Sequence, residues 1–532
     1  MMVRAWFLER RRFIACTTLA LAGIVLVGIA ILVLRWPFRR AAVLRELEAA
    51  SLTKVQVGGF HETYFPRPGC VLEQVIFQHN PQPGSQPLIT IQKLRVESSF
   101  SSLFRSRVKR ILAEGVRILI PALGSEHFET PARSNVVIDN LILDGAVLEV
   151  ARSAGEPPLK FSFHNFLLRD VGSSGPASFQ AKLSNAEPPG EITTTGKFGP
   201  WNPDVVGQTA VEGDYLFEQA DLGVFPGISG LLTSSGKFSG VLSRIEVQGR
   251  TSTPSFRVTS SANQAPLETQ FHAIVNAENG DTLLEKVAAT FGKTTIWSDG
   301  SVEGKTGQSG KTTSVELATK QGRIQDLLLL FAQSKRSPMS GTVSFHAQVA
   351  IPPGTEPFLT KVELQGDFGV DAGSFTNSST QEGINHLSQG ALGEKKSNPA
   401  EKDEPDPETV LSDLKGHVML KHGTATFSSL SFSVPGASAE MRGTYSLLSE
   451  KVDLRGTLRT NSEVAKTTTG VKSAMLKVLQ PFFKKKPSGY LAPVKITGTY
   501  EHPSFGLDWG DGDSHKQRGR ATSASQFPAS PH

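Results

Sequence analysis

Cysteine is almost missing from this chain, with two in 532 residues. Cys16 lies in an apolar N-terminal run and Cys70 far outside it, so neither a disulfide framework nor a cysteine zinc cluster can be built. Catalytic signatures are missing too. There is no G-x-S-x-G elbow. His61-Glu62 has no second histidine four residues on, as a helical zinc motif needs. Asp508, Asp511 and Asp513 are not followed by the glycine and glutamate of a calcium loop. Gly304-Lys-Thr-Gly-Gln-Ser-Gly310-Lys311-Thr312 resembles a phosphate loop, but it has one residue too many between its glycines. The strand-like Thr313-Ser-Val-Glu-Leu317 also follows where a helix is required, so it reads as a hairpin loop. The Asn377-Ser-Ser sequon has meaning only in a glycosylating compartment. The 12 histidines are scattered. The sequence therefore reads as a protein that is not an enzyme, with no cofactor and no metal.

What is abundant is glycine (50) and proline (32), which together weaken helix interiors and argue against a mostly helical fold. The length suggests several domains or one elongated one. The net charge of +5 is misleading. Residues 1–12 sum to +3 and residues 35–54 to +3, which leaves −1 for the rest of the chain. The basic balance belongs to the flanks of one apolar run and points to no nucleic-acid partner.

That run is FIACTTLALAGIVLVGIAILVL, residues 13–34, uncharged and closed by Arg12 and Arg35. At about 1.5 Å per residue it is long enough for a bilayer core. Trp6, Phe7, Trp36 and Phe38 sit where an aromatic belt would lie. A cleavable signal would be shorter and end in small residues, whereas this run ends in Val33-Leu34-Arg35-Trp36. The expectation is a single-pass anchor over 13–34. The tail 1–12 is then cytoplasmic and the bulk of the chain lies across the membrane, although four arginines on either side leave the charge rule nearly tied.

After a short helix at 39–51 (RRAAVLRELEAAS), the apolar period changes from 3.6 to 2. Val343, Phe345 and Val349 alternate with Thr342, Ser344, His346 and Gln348. Leu430, Phe432 and Val434 alternate with serines, and Val452, Leu454 and Leu458 with Lys451, Asp453, Arg455, Thr457 and Arg459. Val494 and Ile496 alternate with Lys495 and Thr497. Each such strand buries one face and wets the other. A short unit, apolar-x-apolar-x-Gly, recurs at Ile245–Gly249, Val362-Glu-Leu364-Gln-Gly366, Ala439–Gly443, Val452–Gly456 and Val494–Gly498. The glycine falls on the apolar face, where it leaves a notch, a bulge or room for sharp curvature. These apolar positions, with Val362 and Leu364 among them, are the candidate lining of a groove.

The expected fold is mainly β: the N-terminal transmembrane helix, then an elongated, curved antiparallel sheet forming a groove or open sandwich with a few short capping helices. Its regions are a β-rich stretch over 35–375, a short helix and charged loop over 376–415, a second β-region over 416–509 and a polar tail over 510–532. A helix over 467–483 reads as capping an open sheet end in preference to lying on a membrane.

The order of these features resembles the AsmA family of Gram-negative envelope proteins. The resemblance rests on the anchor, the helix RRAAVLRELEAAS, the strand Lys54-Val-Gln-Val-Gly58, the turn Thr63-Tyr-Phe-Pro-Arg-Pro-Gly69 and the strand Val71–Phe77. Toward the C-terminus it rests on Gly416-His-Val-Met-Leu-Lys-His-Gly423, Phe432-Ser-Val-Pro-Gly-Ala437, Met441-Arg-Gly-Thr-Tyr445, Asp453-Leu-Arg-Gly-Thr-Leu458, Pro493–Tyr500 and His502-Pro-Ser-Phe505. The resemblance implies a single-pass inner-membrane protein with a periplasmic β-rich body related to bridge-like lipid-transfer proteins. It implies phospholipid transport to the outer membrane, or assembly of that membrane. The implied partners are membrane phospholipids, the inner membrane through residues 13–34 and an outer-membrane or envelope protein. The alternative is a structural scaffold of the cell envelope that binds no lipid.

Overall fold

The computed structural model describes residues 36–507, apart from 52, 79–86, 88, 103–106, 121–135, 151–157, 173–174, 201, 203–204, 305–309, 377–411, 435–436, 461–490 and 500–501. The expected anchor at 13–34, the helices near 384–392 and at 467–483, the charged loop and the tail from 510 lie outside the described residues. No helix among the described residues is long and apolar enough to cross a membrane.

The chain is mainly β, and its strands pair mostly antiparallel. It divides into two compact units. Unit one holds the described residues up to Ala220, with Thr233–Val247 and Val275–Asn279; unit two holds Asp221–Leu232, Gln248–Ile274 and the residues from Gly280 onward. The division falls inside the region 35–375 that the sequence suggests as one piece. The interruption at 376–415 breaks the sequence and not the sheet, because the strands on its two sides are hydrogen-bonded neighbours, with Leu364 opposite Leu420 and Val370 opposite Leu414.

Unit one begins with helix α1 (Arg40–Ser51), where the sequence expects one over 39–51. Its ladder runs in chain order through β1 (Lys54–Thr63), β2 (Gly69–Gln78), β3 (Ile89–Glu97), β4 (Arg107–Ile120), β5 (Val137–Val150), β6 (Leu159–Val171), β7 (Ala177–Ala186), β8 (Pro189–Phe198) and β9 (Ala210–Asp221). One pairing departs from the expected antiparallel pattern: β4 and β5 run parallel. Val43, Leu44 and Leu47 of α1 pack on a core in which Cys70, Leu72 and Val75 are fully buried. Burial pushes the Cys70 thiol up to about 12, with the Glu62 carboxylate adding to the shift, so this thiol is inert.

A line of unpaired positions crosses this sheet without shifting its register. Gly58 of β1 stands level with Gln74 of β2, Gln74 with Gln92 of β3, and Gln92 with Gly115 of β4, and the pairing resumes in the same register beyond them. Gln74 and Gly115 take positive φ, 53° and 62°. At this line the side-chain parity changes by one residue on every strand together. Ile89 and Ile91 therefore share a face with Leu94 and Val96, and Ile111 and Ala113 with Val116 and Ile118.

The strands β10 (Ile228–Ser229), β11 (Leu231–Val241), β12 (Arg244–Val258) and β13 (Ala265–Val275) follow. Unit two then builds its own ladder from β14 (Thr282–Phe291), β15 (Thr294–Gly304), β16 (Lys311–Arg323), β17 (Met339–Ile351), β18 (Glu363–Phe375), β19 (Ser412–Lys421), β20 (Thr424–Val434), β21 (Ala437–Ser446), β22 (Lys451–Thr460), β23 (Leu491–Thr499) and β24 (Pro503–Leu507). Every neighbouring pair from β14 to β24 is antiparallel. The phosphate-loop lookalike is a hairpin connection, since Gly304 pairs with Lys311. Two short helices join the ladder, α2 (Ile324–Leu329) and α3 (Phe358–Lys361).

Candidate functional site

The candidate site is one face of the β14–β24 ladder. Because side chains alternate along a strand, the register alone assigns each residue to a face. One row runs Leu317–Ala347–Gly366–Val418 from β16 to β19 and continues Phe427–Gly443–Leu454–Ile496 to β23. The next row runs Phe345–Phe368–Gly416–Leu430–Met441–Gly456–Val494. Val349 pairs with Leu364, Val343 with Val370, Phe432 with Ala439, and Leu458 with Ala492. Val452 faces Gly498. Apart from Lys311 at the start of β16, opposite Gly304, no residue paired on this face from β14 to β24 carries a charge, whereas the opposite face holds Glu316, His346, Asp367, Glu440, Asp453 and Arg455.

The degree of cover varies along the face. Val343, Val349 and Leu458 are buried. Around Val343 the cover is α2, whose Ile324, Leu327 and Leu328 pack with Met339, Val343 and Val370. Phe345, Leu364, Leu430, Phe432, Val452, Leu454, Val494 and Ile496 are only half-buried. The side chain of Val434 lies outside the described residues. A sheet face sealed against a second layer buries its large side chains; these are in reach of solvent or of a ligand.

Val362 departs from the sequence reading. It caps the C-terminus of α3, its amide donating to the Phe358 carbonyl at 2.9 Å, and the ladder begins only at Glu363 opposite Ala350. Pro357 and the single helical turn after it take Val362 out of the strand, although it is buried.

The recurrent glycine has a direct physical reason. A Cβ at Gly456 would stand 1.9 Å from the Glu440 carbonyl oxygen on β21, closer than atoms approach, and Gly366 and Gly443 meet neighbouring backbone in the same way. The adjacent strand leans over each of these positions, as sharp coiling of the sheet requires. Gly416 serves differently. The Phe368 ring lies across it, 2.8 Å from where its Cβ would be, and stacks edge-on with Phe427 at 6.1 Å. Phe368 and Phe427 are site residues that the sequence pattern missed. Phe368 only extends the Leu364-x-Gly366 alternation by two. Phe427 is hidden by a bulge between it and Leu430.

The polar face is laced by exposed pairs. Lys421 meets Glu363 at 2.9 Å, His417 meets Asp367 at 2.8 Å, and His346 lies against Glu316. Two open depressions of about 510 and 610 Å³ lie on this side, with Asp299, Glu316, Gln348 and Gln365 in one and His346, Asp367, Lys415 and His417 in the other. They are wet and ion-paired, unlike the apolar face behind them. Among the described residues no three His, Cys, Asp or Glu side chains stand together as metal ligands would.

Comparison of the chain with protein-family models, with curated proteins and with solved structures finds no match.

Proposed function

We propose that this chain is a membrane-anchored lipid-handling protein of AsmA type. Residues 13–34 hold it in the inner membrane, its β-rich body is periplasmic, and the apolar face of β14–β24 serves as a groove for phospholipid acyl chains on their way to the outer membrane. The observation that carries this reading is the half-buried state of that face. Eleven consecutive strands keep charge off one side, Lys311 at the start of β16 excepted, yet Leu454, Ile496, Leu430 and Phe345 stay accessible. Acyl chains are the ligand such a surface suits, because they need apolar contact and no hydrogen bonds. Glycine notches and the Phe368–Phe427 pair give the surface relief into which a chain can settle.

Mass spectrometry of the detergent-exchanged full chain tests the proposal, and co-purifying phospholipid is the expected result. A Leu454→Glu variant should keep its circular dichroism spectrum and lose most of that phospholipid, since a charge among acyl chains is costly. A folded Leu454→Glu protein with unchanged lipid content overturns the groove. Absence of phospholipid from the unmodified chain favours the envelope scaffold.

A further inference from the structure

Unit one carries a cluster of aromatic side chains at one end of its sheet that the groove does not use. Trp36 is buried and stacks on the Tyr64 ring at 4.8 Å, with Phe38 edge-on at 5.8 Å. Tyr64 opens the turn 64–68 between β1 and β2. At its tip Phe65 is 87% exposed, while Tyr64 is 56% exposed. The turn that follows β3 lies beside this tip, because Gly69 pairs with Glu97 and the Ser98 amide donates to the Pro68 carbonyl at 2.8 Å. It presents Phe100, 44% exposed, on a turn closed by the Ser102 hydroxyl, which accepts from the Ser99 amide at 3.0 Å. Arg67 binds Glu97 at 2.9 Å at the same end, and Arg39 precedes α1.

Three exposed rings and two guanidinium groups at one edge have the composition of a membrane interface. Such rings sit at the headgroup level, and arginine keeps its charge among the phosphates. What selects a bilayer as the occupant is the chain itself. The uncharged run 13–34 stops two residues before Trp36, a reach of at most about 7 Å. Wherever that run leaves the bilayer, Trp36 is at the surface, and with it the ring of Tyr64 and the tip that Tyr64 begins.

We propose that the turns at 64–68 and 98–102 form a foot that dips into the headgroup layer of the bilayer, with Phe65 and Phe100 inserted and Arg67 beside lipid phosphate. This rests on the reading that residues 13–34 span that bilayer. The foot stands the first strands of unit one up from the membrane. The opposite end of the β1–β2 hairpin, where Lys54 pairs with Gln78, is then about 30 Å away along the strands.

The test uses the full chain in phosphatidylethanolamine–phosphatidylglycerol vesicles. An environment-sensitive thiol dye is placed by Phe65→Cys, by Phe100→Cys or, as control, by Lys54→Cys, each with Cys16→Ala; Cys70 is buried. All three positions are outside the core, so the fold is retained. Dyes at 65 and 100 should shift to the blue and lose emission to lipids bearing a nitroxide high on the acyl chain, and the dye at 54 should do neither. An alkaline carbonate wash reads the anchor separately. If the chain resists the wash while the dyes at 65 and 100 behave like the one at 54, the foot is wrong and the anchor stands. If the chain washes off with its dyes unshifted, both are wrong. If the chain washes off after the dyes at 65 and 100 were quenched, the foot holds and the anchor reading falls.

Discussion

The sheet under α1 and the sheet from β16 to β23 are written in the same alphabet of alternating apolar and polar residues, yet they end in different physical states. In the first, Leu72, Val75 and Cys70 have no solvent exposure, and Val43, Leu44 and Leu47 of α1 pack against the core they belong to. In the second, Leu454 and Ile496 are half-buried. Alternation therefore determines which side of a strand is apolar. Whether that side becomes a closed core or an accessible surface depends on a covering element, and α2 shows both outcomes within one unit. Val343 and Val370 beneath it are sealed, while Phe345 and Leu430 further along are not.

The sharpest way to break this contrast is to place the same charge in both surfaces. Leu72→Glu puts an unpaired carboxylate where nothing can solvate it and should prevent unit one from folding. Even Leu72→Ala should cost about 2–5 kcal/mol. Leu454→Glu can turn to solvent and should melt within a few degrees of the unmodified chain. Thermal unfolding followed by circular dichroism checks both, and equal losses at the two positions would mean that the second face is closed after all.

A smaller effect is expected at Gly456. Any Cβ there meets the Glu440 carbonyl, so Gly456→Val must push β21 and β22 apart, at about 1–3 kcal/mol. Gly145, on β5 with φ of 65° and nothing within 4 Å of its Cβ position, is the control. Gly145→Asn should cost only a few tenths of a kcal/mol, because asparagine tolerates that backbone conformation. Urea midpoints distinguish crowding from backbone preference.

Much of this was legible from alternation alone. The strands through Val343–Val349, Val452–Leu458 and Val494–Ile496 keep strict period 2 with polar or charged residues between. The glycine notch was legible as a repeat, and its cause needed the neighbouring backbone. The parity change across β1–β4 was not legible. A change of parity at Gln74 or Gly115 looks in sequence like failed alternation, and only the partner strands, which change parity at the same level, reveal that both halves face the same core. The parallel β4–β5 pair was hidden for a similar reason, because direction is a property of a pairing. Val362 misled because one turn of helix ends on the same apolar residue that would begin a strand.

The acid side of stability should report on unit one through Glu149. Its carboxylate is nearly buried between Arg117, at 2.6 Å, and Lys160, at 3.3 Å. The Arg117 hydrogen bond, aided by Lys160 and opposed by burial, holds it below the usual carboxylate range. A carboxyl with a lowered folded pKa stabilises above its unfolded value, about 4.3, and loses that contribution as pH falls through the folded value. Glu149→Gln should therefore lower stability at pH 7 and make the acid limb of the profile shallower, as measured by urea unfolding from pH 7 down to pH 3.

The smallest effect belongs to Arg455, on the wet side of the strand that carries Leu454. Its guanidinium lies 3.2 Å from Asp453, both more than half exposed, and such a pair contributes little. The register places Arg442 directly opposite Arg455 on one side and Lys495 on the other, so three cations stand in a row across β21, β22 and β23. Like charges facing each other across strands are mildly destabilising. Arg455→Glu removes the Asp453 pair and in exchange sets an anion between two cations. The two changes oppose each other, and the net should stay within about 0.5 kcal/mol. Because the cation row is exposed, salt should weaken it, so the variant should gain slightly over the unmodified chain at low ionic strength and match it at high. Lipid content should not change, since Arg455 and Leu454 point to opposite faces. If Arg455→Glu removed bound phospholipid as Leu454→Glu is expected to, the two faces of β22 would not be functionally distinct, and the contrast between a wet side and an acyl-binding side would fail at that strand.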